Sequence, residues 1–234
     1  MTRVAFVTGA NRGIGLAIAQ RLHEDGYSVA ASYRTTPPDN PNLFPVQCDV
    51  TSQSQIDQAF DQIEESLGMV EVLVANAGIT KDNLLPRMPE SDFTDVLNAN
   101  LTSGYRLTKR AIKPMMKQRK GRIIFISSVV GTTGQAGQAN YAASKSGLVG
   151  LSRSIAKEFA SRNITANVIT PGPVRTSMIE DLTDQQRENI LAAVPLGRFA
   201  EPEEIAATVA FLASDQAGFI TGAIIPVDGG IGMS

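Results

Sequence analysis

Short runs of β-branched and apolar residues alternate along the chain with longer stretches whose apolar positions recur at helical spacing. Arg3 to Val7, Ser28 to Tyr33, Leu43 to Cys48, Val70 to Ala75, Gly121 to Ser127, Thr165 to Ile169 and Ala223 to Val227 read as strands. Helical periodicity marks Ile14 to Asp25, Gln53 to Leu67, Glu90 to Lys117, Asn140 to Ser161 and Glu203 to Ala213. Several strands are continuous apolar runs, which suits strands buried on both faces of a parallel sheet. The alternation predicts βαβ units and an α/β fold, a doubly wound parallel sheet of about seven strands with helices on both faces.

Local signals refine the pattern. Thr51 or Ser52 can cap the Gln53 helix, and Pro202 with Glu203 and Glu204 suits a first helical turn. The cluster Pro37-Pro38-Asp39-Asn40-Pro41 reads as a turn-rich connector inside the domain. From Pro171 to about Ala200 periodicity weakens, and so long a connection in a compact domain is often a functional lid. The expectation is one domain over residues 1–234, with a lid at about 171–200.

Composition narrows the chemistry. With 43% hydrophobic and 19% charged residues, the chain has the apolar surface to fold, and a disordered binding segment is excluded. A net charge of −2 argues against a whole-domain binder of nucleic acid or anionic membrane. The only cysteine, Cys48, has no intramolecular partner, and no Cys/His cluster offers a metal site. The only histidine is His23, so a Ser-His-Asp hydrolase or a His-ligated metalloenzyme would have to run through that one side chain. Proton transfer is therefore expected from other groups. Apolar runs such as Ile123 to Ile126 are too short to span a membrane, and Thr2 to Thr8 runs straight into a glycine-rich loop, leaving no room for a signal peptide. A soluble cytoplasmic protein is the expectation.

That loop, Thr8-Gly9-Ala10-Asn11-Arg12-Gly13-Ile14-Gly15, lies between the first strand and the first helix. Glycines there let backbone approach a pyrophosphate seated on a helix N-terminus, which makes the expected sheet Rossmann-type; a tight turn with close helix packing is the alternative. After the second strand, where an acid would select NAD, the chain has Tyr33-Arg34-Thr35. Arg34, helped by Arg12, can grip a 2′-phosphate, so NADPH is the expected cofactor; the alternative is a solvated charge at a strand end. Asp49 and Val50 can bound the adenine ring, or Asp49 can cap the following helix.

Tyr141 and Lys145 are four residues apart on an expected helix, so they share a face. A nearby ammonium favours a phenolate, and Lys145 is expected to lower the Tyr141 pKa and make it a usable general acid–base. Ser127-Ser128 closes the fifth strand at the carboxyl edge, where open α/β sheets bind ligands. A hydroxyl there can hold a carbonyl oxygen. A tyrosine, a lysine and turn serines on a partly exposed surface remain the plainer reading.

With Thr8-Gly9-x3-Gly13-Ile14-Gly15, Asn76-Ala77-Gly78, Asn100, Ser128, Tyr141-x3-Lys145 and Pro171-Gly172 in this order, the chain resembles the short-chain dehydrogenase/reductase family from Val4 to Gly230. Within it, the chain looks like the β-ketoacyl-[acyl-carrier-protein] reductases of fatty acid synthesis, most nearly the actinobacterial kind. Asn11 to Leu16, Gln138 to Lys145 and Phe211 to Ser214 carry that nearer likeness.

The resemblance implies reduction of 3-oxoacyl-[acyl-carrier-protein] to the 3-hydroxyacyl form. Tyr141 would donate the proton while NADPH delivers hydride, Ser128 would orient the carbonyl, Lys145 would bind the nicotinamide ribose, and Asn100 would support a water relay. Asn76, Ala77 and Gly78 would line the cofactor cleft, and Pro171, Gly172, Val174 and Thr176 would meet the nicotinamide. For Asn76 and Asn100 the alternative is satisfying backbone groups in a turn or kink, and both roles are compatible. Arg119 and Arg162 stand where the resembled reductases dock the acidic acyl carrier protein, the expected partner; scattered solubilising charges are the alternative. The resemblance also implies a homotetramer. Other readings are a short-chain reductase of a different small carbonyl or acyl-CoA, and a non-catalytic NADP-binding protein. Pro86 and the stretch Pro173-Val174-Arg175-Thr176-Ser177 depart from the family pattern near the substrate entrance and leave chain-length preference open.

Overall fold

A computed structural model describes residues 3–176 and 183–233. Seven parallel strands form one sheet: β1 Val4–Val7, β2 Ser28–Tyr33, β3 Phe44–Gln47, β4 Val70–Ala75, β5 Gly121–Ile126, β6 Ile164–Pro171 and β7 Ile224–Val227. Their order is β3-β2-β1-β4-β5-β6-β7. The helices are α1 Gly13–Glu24, α2 Gln53–Ser66, α3 Glu90–Leu97, α4 Ser103–Gln118, α5 Val130–Thr133, α6 Ala139–Phe159, α7 Asp184–Ala193 and α8 Pro202–Ala213. The α/β, Rossmann-type expectation is met.

Successive strand residues point to opposite faces, and two cores separate on that rule. On one face Ala5 and Val7 of β1, Val29 and Ala31 of β2, Val72 and Val74 of β4 and Ile124 and Ile126 of β5 meet Ile18 and Leu22 of α1 and Ile205 and Val209 of α8. On the other, Phe6, Ala30, Val46, Leu73, Ile123 and Phe125 meet Phe60 of α2, Leu107 and Met115 of α4 and Leu148 of α6. Phe6 and Phe60 pack edge to face with centroids 5.2 Å apart. Such a pair contributes about 1 kcal/mol beyond its buried area.

β1 pairs with β2 on one side and β4 on the other, so the winding reverses there. A crevice opens at such a reversal, outside the carboxyl ends of the strands. The loops after β1, β4, β5 and β6 all emerge at this edge.

Of the two expected cap residues, Ser52 caps α2, its hydroxyl accepting from Gln55 N at 3.4 Å. The single helix expected over Glu90 to Lys117 is broken by a π-helical turn, Asn98–Thr102. A π turn widens the helical ring by one residue and reorients the side chains that follow. Inside the expected lid, residues 177–182 lie outside the described part, and α7 follows with a capping box between Thr183 and Gln186. None of its residues is buried, so it lacks the apolar stripe by which helices are read from sequence. No described helix is long and apolar enough to cross a membrane.

Candidate active site

The loop after β1 is shaped by its glycines. Gly9 (φ +64) and Gly13 (φ +54) occupy the left-handed region that favours residues without a Cβ. Gly15 is excluded from carrying one by space: a Cβ there would lie 2.2 Å from the Gly9 carbonyl oxygen and 2.6 Å from Asn76 Nδ2. The first turn of α1 holds no acid, and Arg12 at its N-cap makes no side-chain capping bond. Its first-turn N–H groups and the positive end of its dipole therefore face the crevice, with Asn11 beside them and Ile14 packed on the core. These residues fit a nucleotide pyrophosphate, judged by the glycine cradle and the uncapped helix end together.

Asn76 fixes this loop from the neighbouring strand. Its amide donates to the carbonyls of Thr8 at 2.9 Å and Gly9 at 3.2 Å. The Thr8 hydroxyl in turn accepts from the N–H groups of Asn76 at 3.0 Å and Ala77 at 3.1 Å. Gly78 follows against Asn100, where a Cβ would lie 2.9 Å from Oδ1.

In the loop after β1 and at the end of β2, Arg12 and Arg34 are both exposed. Neither guanidinium forms an ion pair among the described residues. Asp49 is committed to the turn entering α2: its Oδ1 accepts from Thr51 N at 2.9 Å and from the Thr51 hydroxyl at 2.7 Å. Those bonds, the hydroxyl's foremost, hold the Asp49 carboxyl below its ordinary pKa. The helix cap foreseen as an alternative for Asp49 falls to Ser52, while Asp49 shapes the turn before it, and Val50 beside it is buried.

Ser128, Tyr141, Lys145 and Asn100 converge at the carboxyl end of β5. Ser127 Oγ donates to the Lys145 carbonyl at 2.8 Å, pinning α6 to the strand end. Ser128 Oγ accepts from Val130 N at 3.2 Å and also reaches the Tyr141 phenol. Lys145 Nζ donates to the Ile126 carbonyl at 2.8 Å and sits 5.5 Å from the centroid of the Tyr141 ring. Burial pushes the Lys145 ammonium down to about 8.

The expected lowering of Tyr141 by Lys145 is not found. The Tyr141 pKa is raised, first by burial; Ser128 opposes the rise and the Asp82 charge adds to it. Helical spacing brought the ammonium to the ring face, while its proton is directed at a strand carbonyl. Desolvation of the phenol then outweighs the neighbouring groups. At neutral pH Tyr141 holds its proton.

Asn100 lies in the π-helical turn and is 3% exposed. Its Oδ1 accepts from Ile79 N at 2.8 Å, and its Nδ2 donates to Ile79 O at 3.0 Å and to Ser144 Oγ at 3.0 Å. Ser144 passes the connection on, donating to the Tyr141 carbonyl at 2.8 Å. Ser144 was missed from sequence, although a buried hydroxyl three residues after Tyr141 on the same helix was its available signal.

The loop after β6 closes the opposite wall. Pro171 O accepts from Val129 N at 2.9 Å, and Gly172 N donates to Val227 O at 3.0 Å. Val174 forms a parallel bridge with Ala200. The Thr176 methyl approaches the phosphate loop, 3.4 Å from where a Gly13 Cβ would stand. The predicted site residues after β1, β4, β5 and β6 thus line one crevice.

Arg119 and Arg162 stand elsewhere. With Lys113, Met116 and Lys117 they line a shallow groove at the opposite, amino-terminal edge of the sheet. There Arg119 donates to Ser161 O at 2.9 Å.

Comparison with known proteins accounts for this arrangement. Residues 9–232 match the family model described as enoyl-(acyl carrier protein) reductase. The 3-oxoacyl-[acyl-carrier-protein] reductase MabA of Mycobacterium tuberculosis is 49% identical, over 100% of this chain and 94% of that protein. MabA of Mycobacterium avium is 50% identical over 100% of this chain and 91% of its own length. The 3-oxoacyl-[acyl-carrier-protein] reductase FabG of Escherichia coli is 47% identical over 99% of this chain and 98% of its own. The glycine-shaped phosphate loop, the serine, tyrosine and lysine at the end of β5 and these full-length likenesses agree: the chain belongs to the short-chain dehydrogenase/reductase family.

Proposed function

We propose that this chain is an NADPH-dependent 3-oxoacyl-[acyl-carrier-protein] reductase of fatty acid biosynthesis. The observation that carries the reading is a half-buried Tyr141, its pKa raised so that it keeps its proton, beside Ser128 and with the Lys145 ammonium over its ring. Full-length relatives named for that reaction support the substrate class.

The cofactor fits the loop glycines and the end of α1, with Asn11, Arg12, Ile14 and Asn76 around them and Asp49 and Val50 at the adenine. When bound, it supplies the hydride. Arg34 and Arg12, both exposed and without ion pairs among the described residues, are free to hold a 2′-phosphate. Ser128 orients the substrate carbonyl and Tyr141 gives its proton to the oxygen as negative charge develops there. Such positioned donors act most strongly in a site that excludes water. Lys145 holds the ribose and steadies the phenolate left behind. Asn100, through Ile79 and Ser144, keeps the walls in register and supports proton resupply from water.

We read residues 1–234 as one cytoplasmic domain whose lid, about 171–200, bounds the substrate entrance. Arg119 and Arg162, with Lys113 and Lys117 beside them, suit an acidic carrier protein. The 21-residue α6 separates Tyr141 from Arg162 by roughly 30 Å at 1.5 Å per residue.

The test is steady-state reduction of acetoacetyl thioesters. NADPH should be oxidised in preference to NADH, and Arg34→Ala should weaken NADPH far more than NADH. Equal losses for both would overturn 2′-phosphate recognition. Reduction of carrier-bound and free thioesters at equal kcat/KM, unchanged by Arg119→Ala with Arg162→Ala, would overturn carrier docking.

A further inference from the structure

We propose that Asp82 is a positioning residue for Tyr141, acting through its hydrogen bond to Gln138 at the head of the helix that carries the tyrosine. The inference rests on Tyr141 being the proton donor proposed above. Asp82 Oδ2 accepts from Gln138 Nε2 at 2.7 Å. Gln138 is the N-cap of α6, yet its side chain makes no capping bond. It is spent on Asp82 instead, three residues before Tyr141.

This bond is the middle rung of a clamp. Lys81 O accepts from Asn140 Nδ2 at 2.8 Å, and Asn83 N donates to Gly137 O at 2.8 Å. Residues 81, 82 and 83 thus pair with 140, 138 and 137, tying the segment after β4 across the start of α6. The clamp is anchored at its far side, where Lys81 Nζ reaches Asp92 and Asp95, both at 2.9 Å.

The partners explain why Asp82 acts as a charge. Gln138 is neutral, so it orients the carboxylate without cancelling it. Lys81, the adjacent cation, is engaged by Asp92 and Asp95. Among the described residues, the charged groups bearing on Tyr141 are Lys145 from α6 and Asp82 from the segment after β4, with the neutral Ser128 hydroxyl after β5. Held at the head of α6 three residues before the tyrosine, the Asp82 carboxylate opposes ionisation of the phenol, adding to the rise that burial chiefly causes. In reduction the protonated phenol is the reacting form, so the clamp favours the acid that the reaction consumes.

Tyr141 can be followed without catalysis by the near-ultraviolet absorbance of its phenolate in the full chain. Subtracting the titration of Tyr141→Phe isolates it from the other tyrosines. Asp82→Asn keeps an acceptor for Gln138 and removes the charge, so the Tyr141 midpoint should move down, and the alkaline limb of kcat for reduction with it. Gln138→Ala keeps the charge and releases the clamp, and should also lower the midpoint. An unmoved midpoint in folded Asp82→Asn overturns the proposal; if that variant does not fold, an unmoved midpoint in Gln138→Ala does so. Failure of the proposed reaction shows separately, as reductase activity surviving Tyr141→Phe.

Discussion

The side chain of Asn100 closes a two-point ring with the backbone of Ile79, accepting from its N–H at 2.8 Å and donating to its carbonyl at 3.0 Å. With Ser144 as third partner, one amide joins the π-helical turn, the segment after β4 and the catalytic helix. Asn100→Ala strips all three bonds and should cost about 1–3 kcal/mol, because unpaired backbone groups are more expensive than the bonds are favourable. Asn100→Asp keeps the acceptor and loses the donors, so it should fall between. Thermal unfolding with turnover in parallel checks this. Wild-type stability in Asn100→Ala would show the ring to be incidental.

Gly15 makes a steric prediction. A methyl group there must displace the Gly9 carbonyl, which would stand 2.2 Å away. Because that contact is backbone, no side-chain rotation relieves it. Gly15→Ala should cost about 1–3 kcal/mol of stability and remove most nucleotide affinity. Calorimetric titration with NADPH decides; unchanged affinity would place the pyrophosphate elsewhere.

Lys145 should be a site where stability is given up for function. Burial lowers its pKa from 10.5 to about 8. The unfolded chain takes up that proton at higher pH, so stability falls as pH drops from 10.5 to about 8, and the loss is complete below that. At about 1.36 kcal/mol per pKa unit the loss is roughly 3 kcal/mol, against roughly 1 kcal/mol for the hydrogen bond to Ile126. Lys145→Met should therefore be inactive yet about 2 kcal/mol more stable at neutral pH, with the gain vanishing at alkaline pH. Denaturant midpoints across that range test it, and a variant destabilised at neutral pH would contradict it.

What could be read from the chain follows the physics of each element. The phosphate loop was legible because a left-handed backbone and a close approach demand glycine. The two-faced sheet was legible because its strands, such as Gly121–Ile126, are apolar on both faces. The convergence of Tyr141, Lys145 and Ser128 followed from helical spacing and the strand end. The π turn at Asn98–Thr102 was hidden, since it answers to tertiary partners such as Ile79 and leaves the periodicity of α3 and α4 almost intact. α7 was hidden because it buries no face. The sign of the Tyr141 shift was missed because spacing reports proximity and carries no measure of desolvation. Asp82 and Gln138 are 56 residues apart and ordinary as residue types, so only the fold brings them together.

The central claim is that Tyr141 supplies the proton as hydride reaches the carbonyl carbon. Its most direct measurement is NADPH-dependent reduction of a 3-oxoacyl thioester by Tyr141→Phe, with nucleotide binding followed in the same preparation. Removing a general acid should lower kcat by about 10²–10⁴-fold while nucleotide affinity is retained. Turnover within about tenfold of wild type would contradict the account, because proton transfer would then have another source.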